Sequence, residues 1–386
     1  MAALTHRERV MKALNHEEPD RVPRDLGGGI ASGIHITAYT RLVEFLGLQE
    51  QVKEVHFGNV AAFIADPSET VLDRFDVDCR PLALGGPDVG VEVLDERSYR
   101  DEWGVLWSRP EGGHYINING PFQDKEPTLS DLEKYAWPDP KDPGRIRGLK
   151  ERAIKLQQET DYAIVLNLPF ASVGGCQRVR GFSQWMEDLL INPVVAEATL
   201  EHVCWVNAGV AEFVLAEVGE YVDVVLFPDD LGFQDRCYVR PELYQQRIKP
   251  YHRRLVDAIK SKTKAKVLMH SDGSLFPIIG DLIDIGVDAL NPVQVSAKDM
   301  DSHRLKAEFG ENLSFWGGID THEVLPVGTP EDVRNEVMTR IRDLAPGGGY
   351  ILASVHNILE EVPPENVVAM FDTALEYGRY QEAGWL

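Results

Sequence analysis

Three side chains in this 386-residue sequence have the types and spacing to hold a divalent metal. His270 and Asp272 close the apolar run VLMHSD, and His356 closes YILASVH. Two imidazoles and a carboxylate are a common zinc set, and an open fourth position makes such a site catalytic. Burying these groups without partners is costly, so a strand ending on His270 and Asp272 needs something to pair with them. In a continuing strand, residues two apart share a face, so His270 and Asp272 point the same way. The same residues could instead form a metal-free hydrogen-bonded network, with His270 paired to Asp272.

Other apolar runs also end on polar groups. DVVLFPDD ends on Asp229 and Asp230, and ALNPVQ carries Asn291 and Gln294. Adjacent carboxylates can split their pKa values and work as acid and base. Strand alternation lets only one of the pair face a common mouth, and the other reading is a helix N-cap. Asp230 and Gln294 are the candidates to orient substrate or a proton donor. Asp229 and Asn291 are candidate substrate contacts. Arg178, in GGCQRVRGF, could hold an anion or form a salt bridge at a helix start. His114 and Tyr115 are candidate loop contacts or simply exposed, and the tryptophans of DEWGVLW read as a lid or as core.

These side chains need elements that bring them together. From about residue 145 the chain alternates amphipathic helical stretches with short apolar runs: YAIVLNLP, DVVLFPDD, KVLMHSD, DALNPVQ, LSFWGGID and GGYILASVH. Such runs are parallel strands covered on both faces. With two earlier strands near residues 24 and 78, they predict an α/β fold, a (β/α)8 TIM barrel. Its chemistry sits at the C-terminal strand ends. A doubly wound open sheet is the other architecture, but no glycine-rich phosphate loop opens the first βα turn. The expected organisation is one domain over 1–386. Residues 1–23 form a helical extension, with a helix from Thr5 to Leu14, and 60–140 form a turn-rich inserted decoration. Long helices are expected over 181–218 and 241–263, and from Pro363-Pro364-Glu365 to Tyr380.

Composition narrows the partners. The formal charge is −23, which repels nucleic acid and anionic membranes. No apolar run approaches the roughly 18 residues that span a bilayer, and the polar N-terminus lacks a signal-peptide core. A soluble, cytoplasmic protein is expected. Cys79, Cys176, Cys204 and Cys237 form no C-x-x-C pair, so a metal site here must rely on nitrogen and oxygen.

Several of these stretches carry a resemblance. HRERVMKALNHEEPDRVP, DDLGFQ with RPELYQQRIKPYHRRLVDAIK, HSDG with DLIDIGVDALNPVQ, FWGGID and GGGYILASVHNILEEVPPENVVAMF are similar to parts of the uroporphyrinogen decarboxylase superfamily. The resemblance spans nearly the whole chain and implies a single (β/α)8 barrel. It also implies one of two activities: metal-free decarboxylation of uroporphyrinogen, or zinc-dependent methyl transfer involving a corrinoid protein. The decarboxylases carry paired arginines after the first strand. The matching stretch here is RDLGGGIASGI, with Arg24 alone. Their aspartate matches Asp76 or Asp78 only loosely.

The methyltransferases hold zinc with a His-x-Cys and a cysteine before the last helix. His270 matches that histidine, and Asp272 and His356 stand where the thiolates would be. Imidazole and carboxylate donate less charge than thiolate and leave zinc a stronger Lewis acid, suited to a departing oxygen anion. The chain therefore resembles the first component of an O-demethylase. It is expected to move a methyl group from a methyl ether, such as a methoxylated aromatic, to Co(I). No corrinoid-binding Asp-x-His-x-x-Gly motif appears, so the corrinoid is expected on a transient partner protein. A homodimer is ordinary for the superfamily. The alternatives are a metal-free decarboxylase-like enzyme and a non-catalytic barrel.

Overall fold

A computed structural model describes residues 4–57, 60–110, 115–168 and 172–380. Seven strands form one parallel sheet: β1 (Cys79–Ala83), β2 (Ala163–Asn167), β3 (Val224–Pro228), β4 (Lys266–His270), β5 (Ala289–Asn291), β6 (Ser314–Ile319) and β7 (Tyr350–Ser354). They are neighbours in chain order, from β1 at one edge to β7 at the other. The segment around Arg24 closes the ring. Asp25 N donates to Leu352 O, Leu352 N to Pro23 O, and Asp78 N to Arg24 O, each at 2.9 Å. These eight positions are the strands expected from the sequence, and the result is the TIM-type barrel.

Alternation sorts each strand's residues. Val225, Phe227, Val267, Met269, Leu290 and Phe315 pack outward against the helices. Val224, Leu226, Leu268, Ala289, Trp316, Ile351 and Ala353 fill the interior. Both faces are dry, which is why these strands read as unbroken apolar runs.

Helix α1 (His6–Leu14) plugs the N-terminal end of the barrel. Thr5 caps it in a capping box with Glu8, and Val10, Ala13 and Leu14 join the interior cluster. The expected helix over 181–218 is two helices, Phe182–Ile191 and Pro193–Val218. Pro193 drives Asn192 out of helical geometry (φ −137°, ψ 56°), so the axis breaks there. The second long stretch is interrupted at Tyr244–Ile248, where Lys249 N reaches back five residues to Tyr244 O. Pro250 lacks an N–H for the regular ladder just beyond this wide turn. The last helix spans Pro364–Tyr377 and stops at Gly378.

The insertion is more ordered than its turn-rich sequence suggests. It holds a hairpin (Lys53–Phe57 with Val60–Asp66) that begins before the expected boundary at 60. A four-stranded antiparallel meander follows: Glu92–Asp95, Ser98–Arg100, Leu106–Ser108 and Ile116–Asn119. His114 lies outside the described residues. Among the described residues, no helix is long and apolar enough to cross a membrane.

The floor of the barrel is held by Asp78, whose side chain is fully buried. Its oxygens accept from Arg9 Nη1 at 2.8 Å, Arg21 Nη1 at 2.7 Å, Arg21 Nη2 at 2.9 Å and Arg24 N at 2.8 Å. His6 Nδ1 lies 2.8 Å away. This is the opposite end from the mouth, so Asp78 does not occupy a decarboxylase-like position over substrate. Asp76 is likewise tied to Arg21 and Arg24. Burial alone would push the Asp78 carboxyl up, but His6 and the charges of Arg21 and Arg24 outweigh it and hold it well below the usual range. A depressed folded pKa stabilises the protein above the unfolded value near pH ~3.9, and that contribution is lost as pH falls through the folded value. Asp78→Asn is predicted to cost about 3–5 kcal/mol by denaturant titration at pH 7. The gap between variant and wild type should narrow below about pH 4.

Candidate metal centre

Strand β4 delivers His270 to the mouth. Leu268 faces the interior, so His270, two residues on, faces the same way and is buried. Its neighbour across the parallel ladder is Asn291 at the end of β5. His270 Nδ1 lies 2.6 Å from Asn291 Oδ1, and Asn291 Nδ2 donates to Trp316 O at 3.1 Å. The second bond decides which way the amide points, so its oxygen faces the imidazole. Nδ1–H is therefore the donor, and Nε2 keeps its lone pair free.

Beyond His270 the strand gives way to a loop that turns Asp272 back over the mouth. Asp272 N donates to Asp230 Oδ1 at 3.0 Å, and Gly273 N to Gln294 Oε1 at 2.7 Å. Gly273 has φ +91°, and a Cβ there would lie 2.4 Å from Gly232 O, so only glycine fits. Asp272 Oδ2 comes to rest 3.7 Å from His270 Nε2. That is too long for a hydrogen bond, and close to the roughly 3.3 Å edge of a tetrahedron built on ~2.0 Å zinc bonds.

The third group arrives from the far side of the ring. His356 follows β7, and its ring centre lies 5.5 Å from that of His270. One ligand atom each from His270, Asp272 and His356 lies within 4.8 Å of the others. Asp272 Oδ1 is buried with no hydrogen-bond partner among the described residues. An acceptor left in that state is expensive, and a cation at the centre of the three would satisfy it. The donor set and the orphaned oxygen fit zinc.

Electrostatics at the cluster is divided. Burial opposes charge on His270, but the Asp272 and Asp230 carboxylates raise its pKa. Burial pushes Asp272 up, and His270 more than offsets this, so it ends below its ordinary value. Burial first and His270 second push His356 down, toward the neutral form that ligates metal. Asp230 is raised, chiefly by burial, with Asp272 adding to it.

The other expected site residues divide into near and remote. Asp230 lies at the cluster; Oδ1 holds the Asp272 loop, and Oδ2 has no hydrogen bond among the described residues. Gln294 is nearly buried and committed: it accepts from Gly273 N and donates to Gln234 Oε1 at 3.0 Å. It braces the Asp272–Gly273 loop, with both ends of its amide engaged by protein groups. Asn291, expected as a substrate contact, has its amide engaged by His270 Nδ1 and Trp316 O.

Asp229 is also corrected. Its carboxylate is buried and accepts from Ser172 N, Val173 N and Gly174 N at 2.8–2.9 Å, with His252 Nε2 at 2.8 Å. It anchors the start of helix α2 (Ser172–Arg180) from a neighbouring strand, close to the N-cap alternative. Arg178, in the last turn of α2, lies against Trp107 of the inserted meander.

Two features escape sequence reasoning. Asp25 Oδ2 accepts from Trp316 Nε1 at 2.9 Å and Ser32 Oγ at 2.6 Å, pinning the glycine loop over the barrel interior. Tyr244 and His252 extend the Asp229 network into the helix layer. Both join residues far apart in the chain, and no local motif signals either.

If Asn291 sets the His270 tautomer, Asn291→Ala should weaken zinc binding by about 10–100-fold with little change in fold. Competition with a chromophoric chelator measures this directly. Unchanged affinity would remove the orienting role.

Residues 114–377 match the family described as uroporphyrinogen decarboxylase (URO-D). A uroporphyrinogen decarboxylase of Herminiimonas arsenicoxydans is 24% identical over 191 residues, 47% of this chain and 49% of that protein. A methylated-thiol–coenzyme M methyltransferase of Methanosarcina mazei is 23% identical over 251 residues, 63% of this chain and 62% of that protein. The chain thus spans less than two thirds of the length of these relatives. A solved methyltransferase structure from Methanosarcina mazei superposes over 97% of this chain and 99% of that one, with a TM-score of 0.68 at 18% identity, a likeness of fold. The match over most of the sequence places this chain in the uroporphyrinogen decarboxylase (URO-D) family.

Proposed function

We propose that this chain is a methyltransferase that uses zinc held by His270, Asp272 and His356. It moves a methyl group from a methyl ether to Co(I) of a separate corrinoid protein. One observation carries this reading: three zinc-type donors from two strand ends converge within 4.8 Å, and a buried Asp272 oxygen beside them lacks a partner.

Bound there, zinc supplies Lewis-acid stabilisation of the oxygen anion that departs when the methyl group leaves. The chain's own residues prepare for that event. Asn291 keeps His270 in the tautomer that presents Nε2. Asp272 contributes one negative charge, so two imidazoles and one carboxylate leave a dication with net positive charge. Gln294 and Asp230 hold the Asp272 loop, and the unengaged Oδ2 of Asp230 is the group available to a substrate proton or hydroxyl. In the transfer itself, the methyl–oxygen bond breaks with its electron pair staying on oxygen, and the methyl carbon bonds to cobalt.

The absence of thiolate ligands supports an ether donor over a thiol substrate, because a thiolate-rich site serves to keep bound sulfur nucleophilic. The metal-free decarboxylase alternative relies on arginines after the first strand. Arg24 is the arginine in that position, and it is buried and bonded to Asp76 on the floor side, 2.5 Å away.

The test is a reconstitution with a Co(I) corrinoid protein and a panel of methyl ethers, followed by the methyl-cobalt absorption change. Transfer is predicted for the zinc-loaded enzyme. His356→Ala should lower the rate by about a hundredfold or more at unchanged melting temperature. Full activity in zinc-free protein, or none across a broad donor panel, contradicts the reading.

A further inference from the structure

The two imidazoles of the cluster are held in different ways. His270 is braced through its ring, by Asn291. The His356 ring makes no hydrogen bond among the described residues, so its position depends on the backbone that carries it. That backbone leaves the sheet at Val355, whose N–H donates to Ile319 O of β6 at 2.8 Å. Past this point a different part of the molecule catches the chain.

The catch is the segment RDLGGGIASGI. Gly33 N donates to the side-chain Oδ1 of Asn357 at 2.7 Å, and Ile358 N donates to Gly33 O at 2.9 Å. His35 N returns to Ile358 O at 2.7 Å, and Ile34 and Ile358 pair as a short parallel bridge. His356 thus sits between a ladder bond to β6 on one side and a clasp to this loop on the other. Gly33 comes so near only because it lacks a side chain. A Cβ there would lie 3.0 Å from Asn357 Oδ1 and 2.8 Å from Ile64 Cγ2.

The loop behind the clasp is itself fixed to the barrel interior. Ser32, next to Gly33, donates from Oγ to Asp25 Oδ2 at 2.6 Å, and the same oxygen accepts from Trp316 Nε1. Gly28 N donates to Asp25 Oδ1 at 2.8 Å. Asn167, at the end of β2, accepts from Ile30 N at 2.8 Å and donates to Gly28 O at 2.9 Å. A Gly27–Gly29 run is mobile on its own, and these buried side chains remove that freedom. The path from Asp25 to His356 is therefore continuous, through Ser32, Gly33 and the Asn357 carboxamide.

We propose that Asn357 is a positioning residue for His356: its carboxamide passes the rigidity of the Asp25–Ser32 loop to the third ligand of the cluster. The clasp stands on hydrogen bonds alone; its consequence for zinc rests on the function proposed above.

The test compares Asn357→Leu, close to the amide in size but unable to accept a hydrogen bond, with Asn357→Asp, which keeps the acceptor. Both are made in the full chain with histidine isotope-labelled at Cε1. In metal-free protein the His356 resonance, identified by its loss in His356→Ala, should be narrow in wild type, broadened or split in Asn357→Leu, and narrow again in Asn357→Asp. Chelator competition should show zinc binding weakened about tenfold by Asn357→Leu, near wild type in Asn357→Asp, and unaffected by Asn357→Leu once His356 is already alanine. Gly33→Ala, which presses on the clasp from the loop side, should broaden the same resonance. A narrow His356 line in folded Asn357→Leu overturns the proposal, and so does an equal loss of zinc affinity with and without His356, the mark of a merely structural role. Should Asn357→Leu not fold, a narrow line in Gly33→Ala overturns it. If wild-type protein binds no zinc, the metal reading falls, and the line widths alone decide the positioning role.

Discussion

The hydrogen bond between His270 and Asn291 is the contact on which the mouth depends. It joins the last residues of two adjacent parallel strands, both turned inward by alternation. Asn291 is itself held by the Trp316 carbonyl on the next strand. Three neighbouring strands thus decide where one imidazole nitrogen points. A free histidine at that depth would be an unpaired polar group at a desolvation cost. Here one nitrogen is satisfied by the scaffold and the other is directed at Asp272. The metal hypothesis needs this division of labour, since a ligand that must first break a hydrogen bond binds weakly.

The two ends of the barrel divide stability from chemistry. At the floor, Asp78 collects His6, the guanidiniums of Arg9 and Arg21 and the backbone N–H of Arg24 around one carboxylate, and α1 seals the interior. At the mouth, polar groups face one another without full mutual satisfaction. Asp272 Oδ1 is orphaned, and Asp230 Oδ2 carries no bond among the described residues. A mouth built this way is less stable than an apolar one, and such a cost persists where a ligand or a reaction makes use of it. The anchoring groups around it are themselves well satisfied. Asp229 accepts backbone N–H groups from α2, and Gln294 braces the Gly273 turn.

Much of the barrel is legible in the sequence because burial on both faces leaves an unbroken apolar run followed by polar residues, as in VLMHSD and YILASVH. The three metal-type residues are legible for the same reason: they terminate such runs. The roles of Asn291, Gln294 and Asp229 are not. Each side chain bonds a partner about twenty or more residues away, and only the register of the strands brings them together. Helix interruptions at Asn192 and at Tyr244–Ile248 depend on a following proline, which the long apolar periodicity conceals. The meander reads as turns because its strands are three or four residues long and its outer strands are exposed.

The central claim is that His270, Asp272 and His356 surround one zinc ion, and zinc-edge X-ray absorption of the purified protein tests it most directly. The account predicts about one zinc per chain in a first shell of nitrogen and oxygen only, at about 2.0–2.1 Å, with two imidazole signatures that fall to one in His356→Ala. A sulfur shell near 2.3 Å, or a spectrum unchanged in His356→Ala, would place zinc elsewhere and contradict it.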